Sequence, residues 1–258
     1  MSNGAERDQW EAMYVCEELL WWYTALHRFL LRILGRAALP PGIRVLDIGC
    51  GSGGFASQLK KCGYRVVGLD RSWRGIRFSR ARGLTALVQG DANRLPFRDG
   101  SFDLVICIDV LEEGPVLPEK LLPEMERVAR SGALVLLQTS AYQWLLSRHD
   151  RAVEATRRFT RRQLQDLIRG ARLEPRYATY LFTLLFPLLA AWKLLHPYPE
   201  DPGRPVPNDI RMPPRPINAL LDGLCRLESL LIPSWRLPFG TSVCALAQKP
   251  GAGPHPGQ

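Results

Sequence analysis

The stretch that decides the fold is Val45-Leu46-Asp47-Ile48-Gly49-Cys50-Gly51-Ser52-Gly53-Gly54-Phe55, where a short apolar run leads directly into a glycine-rich turn. Glycines let the backbone turn tightly and approach a ligand closely, and the helix that follows offers free N–H groups to an anion. The spacing Gly49-x-Gly51-x-x-Gly54 also satisfies the dinucleotide-binding fingerprint. The turn therefore predicts a cofactor site but does not decide which cofactor binds there.

Apolar strands alternate with helical segments along the chain, starting with the strand before this turn. The predicted strands are 43–47, 65–70, 84–89, 102–108, 133–139, 176–180 and 239–248. The predicted helices between them are 53–62, 74–82, 118–130, 217–231, and 160–172 with a capping box of Thr160 and Gln163. Because nearly all-apolar strands separated by helices are typical of a parallel sheet covered on both faces, we expect an α/β, Rossmann-like fold with a seven-stranded, mostly parallel sheet.

Four parts are expected along the chain. Residues 1–40 form a helical cap, because apolar residues recur at helical spacing within 10–38. Residues 41–180 and 238–249 form the α/β core, 181–237 an insert with a proline-rich segment, and 250–258 a disordered tail. The uncharged stretch from Tyr177 to Trp192 is shorter than the about 20 apolar residues that a bilayer span needs. We expect a buried or interfacial helix there.

The composition is that of a soluble globular protein, and it limits the partners. The net charge is +9, but the basic residues form no single stripe, so we attribute most of them to solvated helix faces and expect no nucleic acid. The six cysteines are scattered, with no Cys-x-x-Cys pair and no histidine cluster, which favours a reducing compartment and predicts no metal site. The polar, mixed-charge N-terminus is not a signal peptide, and we expect a cytoplasmic location.

Acidic residues stand at the ends of three predicted strands. Asp70 ends the second strand about 20 residues beyond the glycine turn, where an acid can bind ribose hydroxyls. Gly90-Asp91-Ala92 ends the third strand, and Asp109-Val110-Leu111-Glu112 follows the fourth. A dinucleotide enzyme needs the first acid but has no need of the other two.

With these four motifs in this order, residues 43–140 resemble the class I S-adenosylmethionine-dependent methyltransferases, specifically the type 11 methyltransferase domain. The resemblance implies the Rossmann-like methyltransferase fold, S-adenosyl-L-methionine as cofactor, and methyl transfer to a small-molecule or lipid-like acceptor. The cofactor has a cationic sulfonium, an ammonium group, a diol and an exocyclic amine, all of which need hydrogen-bond or charge acceptors. Aspartates at strand ends supply them.

The same resemblance implies which residues form the cofactor site. They are Asp47, Gly49, Cys50, Gly51, Asp70, Arg71, Asp91, Ala92 and Ile108. The backbone around Gly49 and Gly51 would pack against the methionine part of the cofactor, with Asp47 orienting the turn or the ammonium group.

Three further roles follow from the resemblance. Asp70 would accept the ribose hydroxyls, Asp91 would accept the adenine amino group, and the carbonyl of Ile108 would lie near the ammonium. The alternative for Asp70 and Asp91 is a helix N-cap or a turn acid.

The acceptor side departs from the family pattern. Many relatives continue the Asp-Val-Leu-Glu run with a histidine, whereas here Glu112 is followed by Glu113 and Gly114. Methyl transfer mainly requires alignment of the reacting atoms, and a base is needed only if the acceptor keeps its proton. The candidate catalytic residues are His149, Glu113 and Tyr142.

Two apolar regions indicate the kind of acceptor. The aromatic N-terminal helix, with Trp21, Trp22, Tyr23 and His27, either packs against the sheet or closes over the acceptor as a lid. Together with the apolar segment from Leu181 to Leu195, it favours a lipid-like acceptor and a peripheral contact at the inner face of the membrane. The alternatives are a non-catalytic, methyltransferase-like binding or membrane-associated protein and a nicotinamide-dependent oxidoreductase, against which Asp91 argues.

Overall fold

The computed structural model describes residues 2–147, 150, 154–195 and 212–251. Its strands are β1 (Arg44–Ile48), β2 (Arg65–Asp70), β3 (Leu87–Gln89), β4 (Phe102–Ile108), β5 (Ala129–Ser140), β6 (Glu174–Leu181) and β7 (Ser242–Gln248). They pair in the order β3-β2-β1-β4-β5-β7-β6, and β7 alone runs antiparallel to its neighbours. The expected seven-stranded, mostly parallel α/β sheet is confirmed.

The helices cover both faces of this sheet. Within the described residues they are α1 (Ser2–Leu19), α2 (Trp21–Gly35), α3 (Gly54–Lys61), α4 (Trp73–Ala81), α5 (Pro118–Val128), α6 (Arg161–Gly170), α7 (Phe186–Leu195) and α8 (Arg215–Leu231), with a short 3₁₀ turn at Gln143–Leu145. The capping box predicted at Thr160 and Gln163 begins α6.

The alternation of side chains along β4 shows why helices must cover both faces of the sheet. Leu104 and Ile106 pack into an apolar layer with α2 and α3, whereas Val105 and Cys107 pack into the opposite layer with α5 and α6. All four side chains are fully buried. Successive residues of a strand point to opposite faces, so the apolar run of β4 is satisfied only between two layers of helices.

Several strand boundaries differ from the prediction, by three or four residues at the starts of β3, β5 and β7, where β7 begins at Ser242 instead of Phe239. β5 begins at Ala129, four residues before the predicted start, because Phe102 of β4 pairs with Ala129 across an irregular register. β3 begins at Leu87 rather than Leu84, because the N–H of Leu84 donates to the carbonyl of Ser79 at the end of α4 instead of joining the sheet.

The insert departs most from its prediction. The residues up to Leu181 belong to β6, and Leu181, Phe182 and Leu185 are buried. From Phe186 onward, by contrast, α7 buries none of its side chains, so the prediction of a buried helix is wrong for this part and the interfacial alternative stays a prediction. Among the described residues, no helix is long and apolar enough to cross a membrane.

Other predictions fall on parts that the structure does not describe. The predicted catalytic residue His149, most of the proline-rich segment (196–211) and the tail from residue 252 lie outside the described residues.

Candidate cofactor and acceptor site

The glycine turn after β1 is held against the end of β2. Gly49 and Gly51 adopt left-handed φ values of 72° and 53°. The N–H groups of Gly49 and Cys50 both donate to the carbonyl of Leu69, at 2.7 and 3.0 Å. A Cβ atom at Gly49 would lie 2.1 Å from Cγ2 of Val110, so position 49 accepts only glycine for steric as well as conformational reasons.

Asp70 at the end of β2 joins the turn to helix α4. Its Oδ2 accepts the N–H of Gly51 at 2.8 Å, and its Oδ1 accepts the N–H of Ser72, the N-cap of α4, at 2.7 Å. The carboxylate is buried, and burial raises its pKa although both hydrogen bonds and Arg71 act in the opposite direction. Asp70 therefore shapes the turn, and each of its oxygens keeps a second lone pair for a ligand.

Asp47 in β1 is a second buried acid beneath the same turn. Its neighbours in the sheet are Gly68 in β2 and Ile106 in β4. Burial raises its pKa to about 8, and the negative charges of Glu17 and Asp70 add to this effect. Near neutral pH Asp47 is therefore largely protonated, and a cationic ligand beside it would favour its ionised form.

Helix α1 covers the glycine turn, which sequence analysis did not predict. The Cε of Met13 lies 3.2 Å from the position of a Cβ at Gly51, and the indole of Trp10 lies 2.9 Å from that of a Cβ at Gly75. Only glycine at these two positions leaves room for the helix. The sequence signal was the spacing of apolar residues in the N-terminal region, which predicted a helix but not its partner.

Glu17 of α1 carries the polar part of this contact. It accepts the hydroxyl of Ser52 in the glycine turn and pairs with Arg82 at 3.1 Å. Burial raises the pKa of Glu17, although Ser52 and Arg82 both lower it. Arg82 in turn donates from Nε to the carbonyl of Ser52 at 2.9 Å and lies over the ring of Tyr14 at 4.2 Å.

The other predicted cofactor residues lie along the same edge of the sheet. Asp91 is exposed, and its Oδ1 accepts both the backbone N–H and the side-chain amide of Asn93 at 2.9 Å, as in a turn. Ala92 and Cys50 are buried, and the Sγ of Cys50 lies 3.8 Å from the Oγ of Ser79. Ile108 is half-buried at the end of β4.

Arg71 links the cofactor side to the acceptor side. It follows Asp70 and pairs with Glu154 at 2.7 Å and with Glu113 at 3.7 Å. Burial raises the pKa of Glu113 to about 7, whereas the positive charge of Arg71 lowers it. The predicted residues Arg71 and Glu113 are therefore brought together, and Glu113 titrates near neutral pH.

A carboxyl pair, the buried Glu112 and the half-buried Asp109, follows β4 and was missed as a functional group. Glu112 accepts the hydroxyls of Thr139 and Ser140 at 2.5 and 3.0 Å, and the amide of Gln138 donates to Asp109 at 3.1 Å. Burial raises the pKa of Asp109 well above its usual range, and the neighbouring charge of Glu112 raises it further. The two acids were visible in the sequence as part of the Asp-Val-Leu-Glu run. The polar residues at the C-terminal end of β5 that complete the cluster belong to no motif.

Tyr142, a predicted catalytic residue, lies in an aromatic cluster just beyond β5. Its ring stacks on Tyr180 with centroids 5.1 Å apart, and it also contacts Phe186 and Trp144. Burial and a hydrogen bond with Tyr180 raise the pKa of Tyr142, which weakens it as a base. Phe186 also contacts Phe239, so this cluster joins the acceptor side to the start of α7.

The aromatic residues of α2 have a packing role. Trp21 and Trp22 both contact Phe182 with ring centroids 5.9 Å apart. His27 is buried beside Phe55, and burial lowers its pKa to about 4. Of the two alternatives for these residues, packing against the sheet domain agrees with the structure.

Comparisons with known proteins agree with this architecture. Residues 46–137 match the family described as "Methyltransferase domain". The sterol 24-C-methyltransferase of Yarrowia lipolytica is 33% identical over 132 residues, which cover 48% of this chain and 33% of that protein. The ubiquinone biosynthesis O-methyltransferase of Hahella chejuensis is 36% identical over 110 residues, or 40% of this chain and 45% of that protein. The matched part spans less than half the length of each relative.

A solved structure extends the likeness beyond the matched sequence. Geranyl diphosphate C-methyltransferase from Streptomyces coelicolor A3(2), in complex with Mg²⁺, geranyl diphosphate and S-adenosyl-L-homocysteine, aligns with a TM-score of 0.58 and 19% identity, over 88% of this chain and 77% of that one. At this identity the likeness establishes the fold. Residues 46–137 thus match a methyltransferase domain, within a fold that the solved structure shares over most of the chain.

Proposed function

We propose that this protein transfers a methyl group from S-adenosylmethionine to a lipid-like small molecule. The observation that supports this most directly is the meeting of the glycine turn, Asp70 and the Asp109–Glu112 pair at the carboxyl ends of the adjacent strands β1, β2 and β4. Ligands of open α/β sheets bind at this edge. The relatives named above, which act on sterols, ubiquinone precursors or geranyl diphosphate according to their names, support the class of acceptor.

The residues present fit the cofactor by charge. Asp47 and Asp70 are buried acids whose pKa values are raised chiefly by burial, and a positive charge beside them would stabilise their ionised forms. A ligand with a sulfonium and an ammonium group would supply positive charge there. We propose that Asp70 holds the ribose hydroxyls with its remaining lone pairs and that the unused acceptor of Asp91 binds the adenine amino group. The carbonyl of Ile108 and the turn around Gly49 would border the methionine part.

The chain's own contribution to the reaction is alignment and proton removal. When bound, the cofactor would supply an electrophilic methyl group, with a neutral thioether as its leaving group. Helix α1 lies over the glycine turn through Trp10 and Met13 and would limit the access of water to this edge. Positioning of this kind contributes up to about 7–11 kcal/mol to catalysis.

For an acceptor that must lose a proton, we propose Asp109 as the base. Gln138 orients its carboxylate, and Glu112 is held beside it by Thr139 and Ser140. Glu113, with a pKa of about 7, is the second candidate. Tyr142 is then a wall of the acceptor site rather than a base, because its raised pKa disfavours the phenolate.

We further propose that the acceptor arrives from a membrane surface on the cytoplasmic side. The segment predicted to contact the membrane runs from Leu181 to Leu195. Of this segment, we propose that only α7 makes the contact, because all its side chains are at least partly exposed. Phe186 at its start contacts Tyr142 and Trp144 of the aromatic cluster, so an apolar path leads from α7 to the acceptor side. An amphipathic or apolar helix of this kind suits the headgroup boundary of a bilayer.

The test combines cofactor binding with transfer. Isothermal titration with S-adenosylmethionine should give binding that Asp70→Asn weakens at least tenfold, whereas Asp166→Asn, an exposed acid on α6, should leave it unchanged. Labelled methyl from the cofactor should then enter the lipid fraction of a cell extract. Cofactor binding without any transfer, to lipid or to water-soluble fractions, would favour the non-catalytic alternative. Wild-type affinity in Asp70→Asn would contradict the assignment of the site.

A further inference from the structure

The outward face of α8 is a row of exposed apolar side chains. Leu220, Leu227 and Leu230 are 64%, 58% and 63% exposed, and Trp235 just after the helix is 68% exposed. The opposite face holds the buried Cys225 and Glu228 and packs towards α2 and the start of α7. At 1.5 Å per residue, the 17 residues of α8 extend over about 25 Å. Apolar exposure of this length on one helix indicates a partner.

A shallow, open pocket with three arginines among its lining residues lies at the C-terminal end of α2. It has a volume of about 520 Å³ and is lined by Arg28, Leu31, Arg32, Gly35, Arg36 and Pro233. The three arginines recur every four residues and so share one face of the helix. Arg28 pairs through Nη2 with Asp222 of α8 at 2.8 Å, but its buried Nη1 has no hydrogen-bond partner within the described part of the chain.

The pocket keeps a net positive charge. Asp222 is the acid that contacts it, and its other oxygen accepts Nε of Arg226 at 2.7 Å. One carboxylate is therefore shared by two arginines, while Arg32 and Arg36 are exposed. A buried guanidinium donor without a partner, beside two exposed guanidinium groups, matches the requirements of a phosphate group.

The pocket and the apolar face adjoin. Arg36 donates from Nη1 to the carbonyl of Pro233 at 2.8 Å. Pro233 lies two residues from both Leu231, the last residue of α8, and Trp235. Cationic and apolar groups thus occur together at this end of the helix, which is the pattern of a peripheral membrane contact with tryptophan at the interface.

We propose that α8 lies on an anionic lipid bilayer, with its exposed leucines in the headgroup boundary and a lipid phosphate in the arginine pocket. The positive charge of the chain and of the pocket favours an anionic membrane over other partners. A second copy of a chain with a net charge of +9 would bring three more arginines towards the same pocket, and a nucleic acid would leave the leucines in water. Anionic lipids meet both requirements at once.

This attachment is separate from the proposed methyl transfer and from the contact through α7. It concerns the α2–α8 side of the molecule, and it holds whether or not the chain transfers methyl groups. A variant of α8 therefore tests the attachment, whereas cofactor titration tests the proposed function.

The experiment is sedimentation of the full chain with vesicles of phosphatidylcholine alone and of phosphatidylcholine mixed with phosphatidylglycerol. We expect tighter binding to the anionic vesicles, weakened about tenfold or more by Arg32→Gln with Arg36→Gln. Leu227→Asn with Leu230→Asn should also weaken binding, and because these side chains are exposed, the circular dichroism spectrum should not change. The matched control is Arg162→Gln with Arg169→Gln on α6, which removes the same charge from another surface.

Three results would overturn the proposal. One is an equal loss of binding in the α6 control, which would indicate attraction by total charge. Another is unchanged binding in the leucine variant. The third is a dimer in sedimentation velocity that the leucine variant converts to monomer, which would identify a second copy as the partner. Competition by inorganic phosphate distinguishes the sources of the anion: partial weakening is expected, because the leucines still bind, whereas complete release would show a free-phosphate site instead.

Discussion

Glu17 and Arg82 form an ion pair at 3.1 Å in which the side chains are only 7% and 4% exposed. The acid comes from α1 and the arginine from the residue after α4, so the pair fastens the covering helix to the cofactor edge of the sheet. Removing one partner of a buried pair leaves an uncompensated charge, which is far more costly than removing an exposed pair.

This pair gives the first prediction. Arg82→Met should lower the free energy of unfolding by about 3–5 kcal/mol at neutral pH, because Glu17 would stay buried without its partner. Burial already raises the pKa of Glu17 in the folded state, and removing Arg82 raises it further. The loss should therefore shrink as the pH falls towards the pKa of an unfolded glutamate. Urea unfolding at two pH values measures it, with the exposed Arg80→Met as the control; equal losses in both variants would contradict the assignment.

The second prediction concerns Asp47. Its pKa is raised from 3.8 to about 8 in the folded state, so folding favours the protonated acid. The stability due to this group is complete below pH 4 and is lost as the pH rises towards 8, with a slope of at most about 1.4 kcal/mol per pH unit. Asp47→Asn stays neutral and should be more stable than the wild type at pH 8, by a margin that shrinks towards pH 5. Urea unfolding of both proteins across this range measures the difference, and a constant difference would argue against a raised pKa.

The third prediction concerns Gly49, where it separates the cost of the left-handed backbone from the steric clash of a side chain. Gly49→Ala should destabilise the fold and weaken cofactor binding, because the left-handed φ costs a non-glycine residue about 1–2 kcal/mol and the new Cβ would collide with Val110. Adding Val110→Ala should relieve the collision but not the conformational cost. A double-mutant cycle on thermal unfolding should thus give partial recovery, and purely additive losses would rule out the collision.

The fourth prediction tests the proposed base. In a transfer assay with an acceptor that loses a proton, Asp109→Asn should lower kcat about 10²–10⁴-fold. Glu112→Gln removes a neighbouring negative charge, which lowers the pKa of Asp109, so the acid limb of the pH–rate profile should move to lower pH. Glu119→Gln, exposed on α5, is the control. A kcat that Asp109→Asn leaves unchanged would contradict the assignment and favour Glu113 as the base.

The parts of the site that lie within one strand and its turn could be predicted from the sequence. The turn from Gly49 to Gly54 and the position of Asp70 follow from local pattern, because parallel strands bring their carboxyl ends to one edge. Glu17 could not be predicted, because its partner Ser52 is 35 residues away and helical periodicity does not specify which surface a helix covers. The same holds for Thr139 and Ser140, whose role depends on the register of β5 against β4.

The exposure of α7 could not be predicted from the sequence, for a different reason. Its apolar composition predicted burial. The leucines of α7 are nevertheless exposed, whereas Phe182 and Leu185 just before the helix, which are apolar as well, are buried. Glu228 of α8 accepts the N–H of Leu184 at 2.9 Å and so holds the chain between the buried Phe182 and the start of α7. A contact between residues 44 positions apart leaves no trace in local hydropathy.

The antiparallel strand β7 also makes the pairing of two earlier strands depend on the last part of the described sheet. β5 and β6 do not pair with each other, and each bonds to β7, which lies between them. Before residues 242–248 are synthesised, β6 has no strand to pair with, and the edge of β5 that pairs with β7 is open. A chain cut short before β7 would therefore leave β6 and the facing edge of β5 unpaired, and unpaired strand edges promote aggregation.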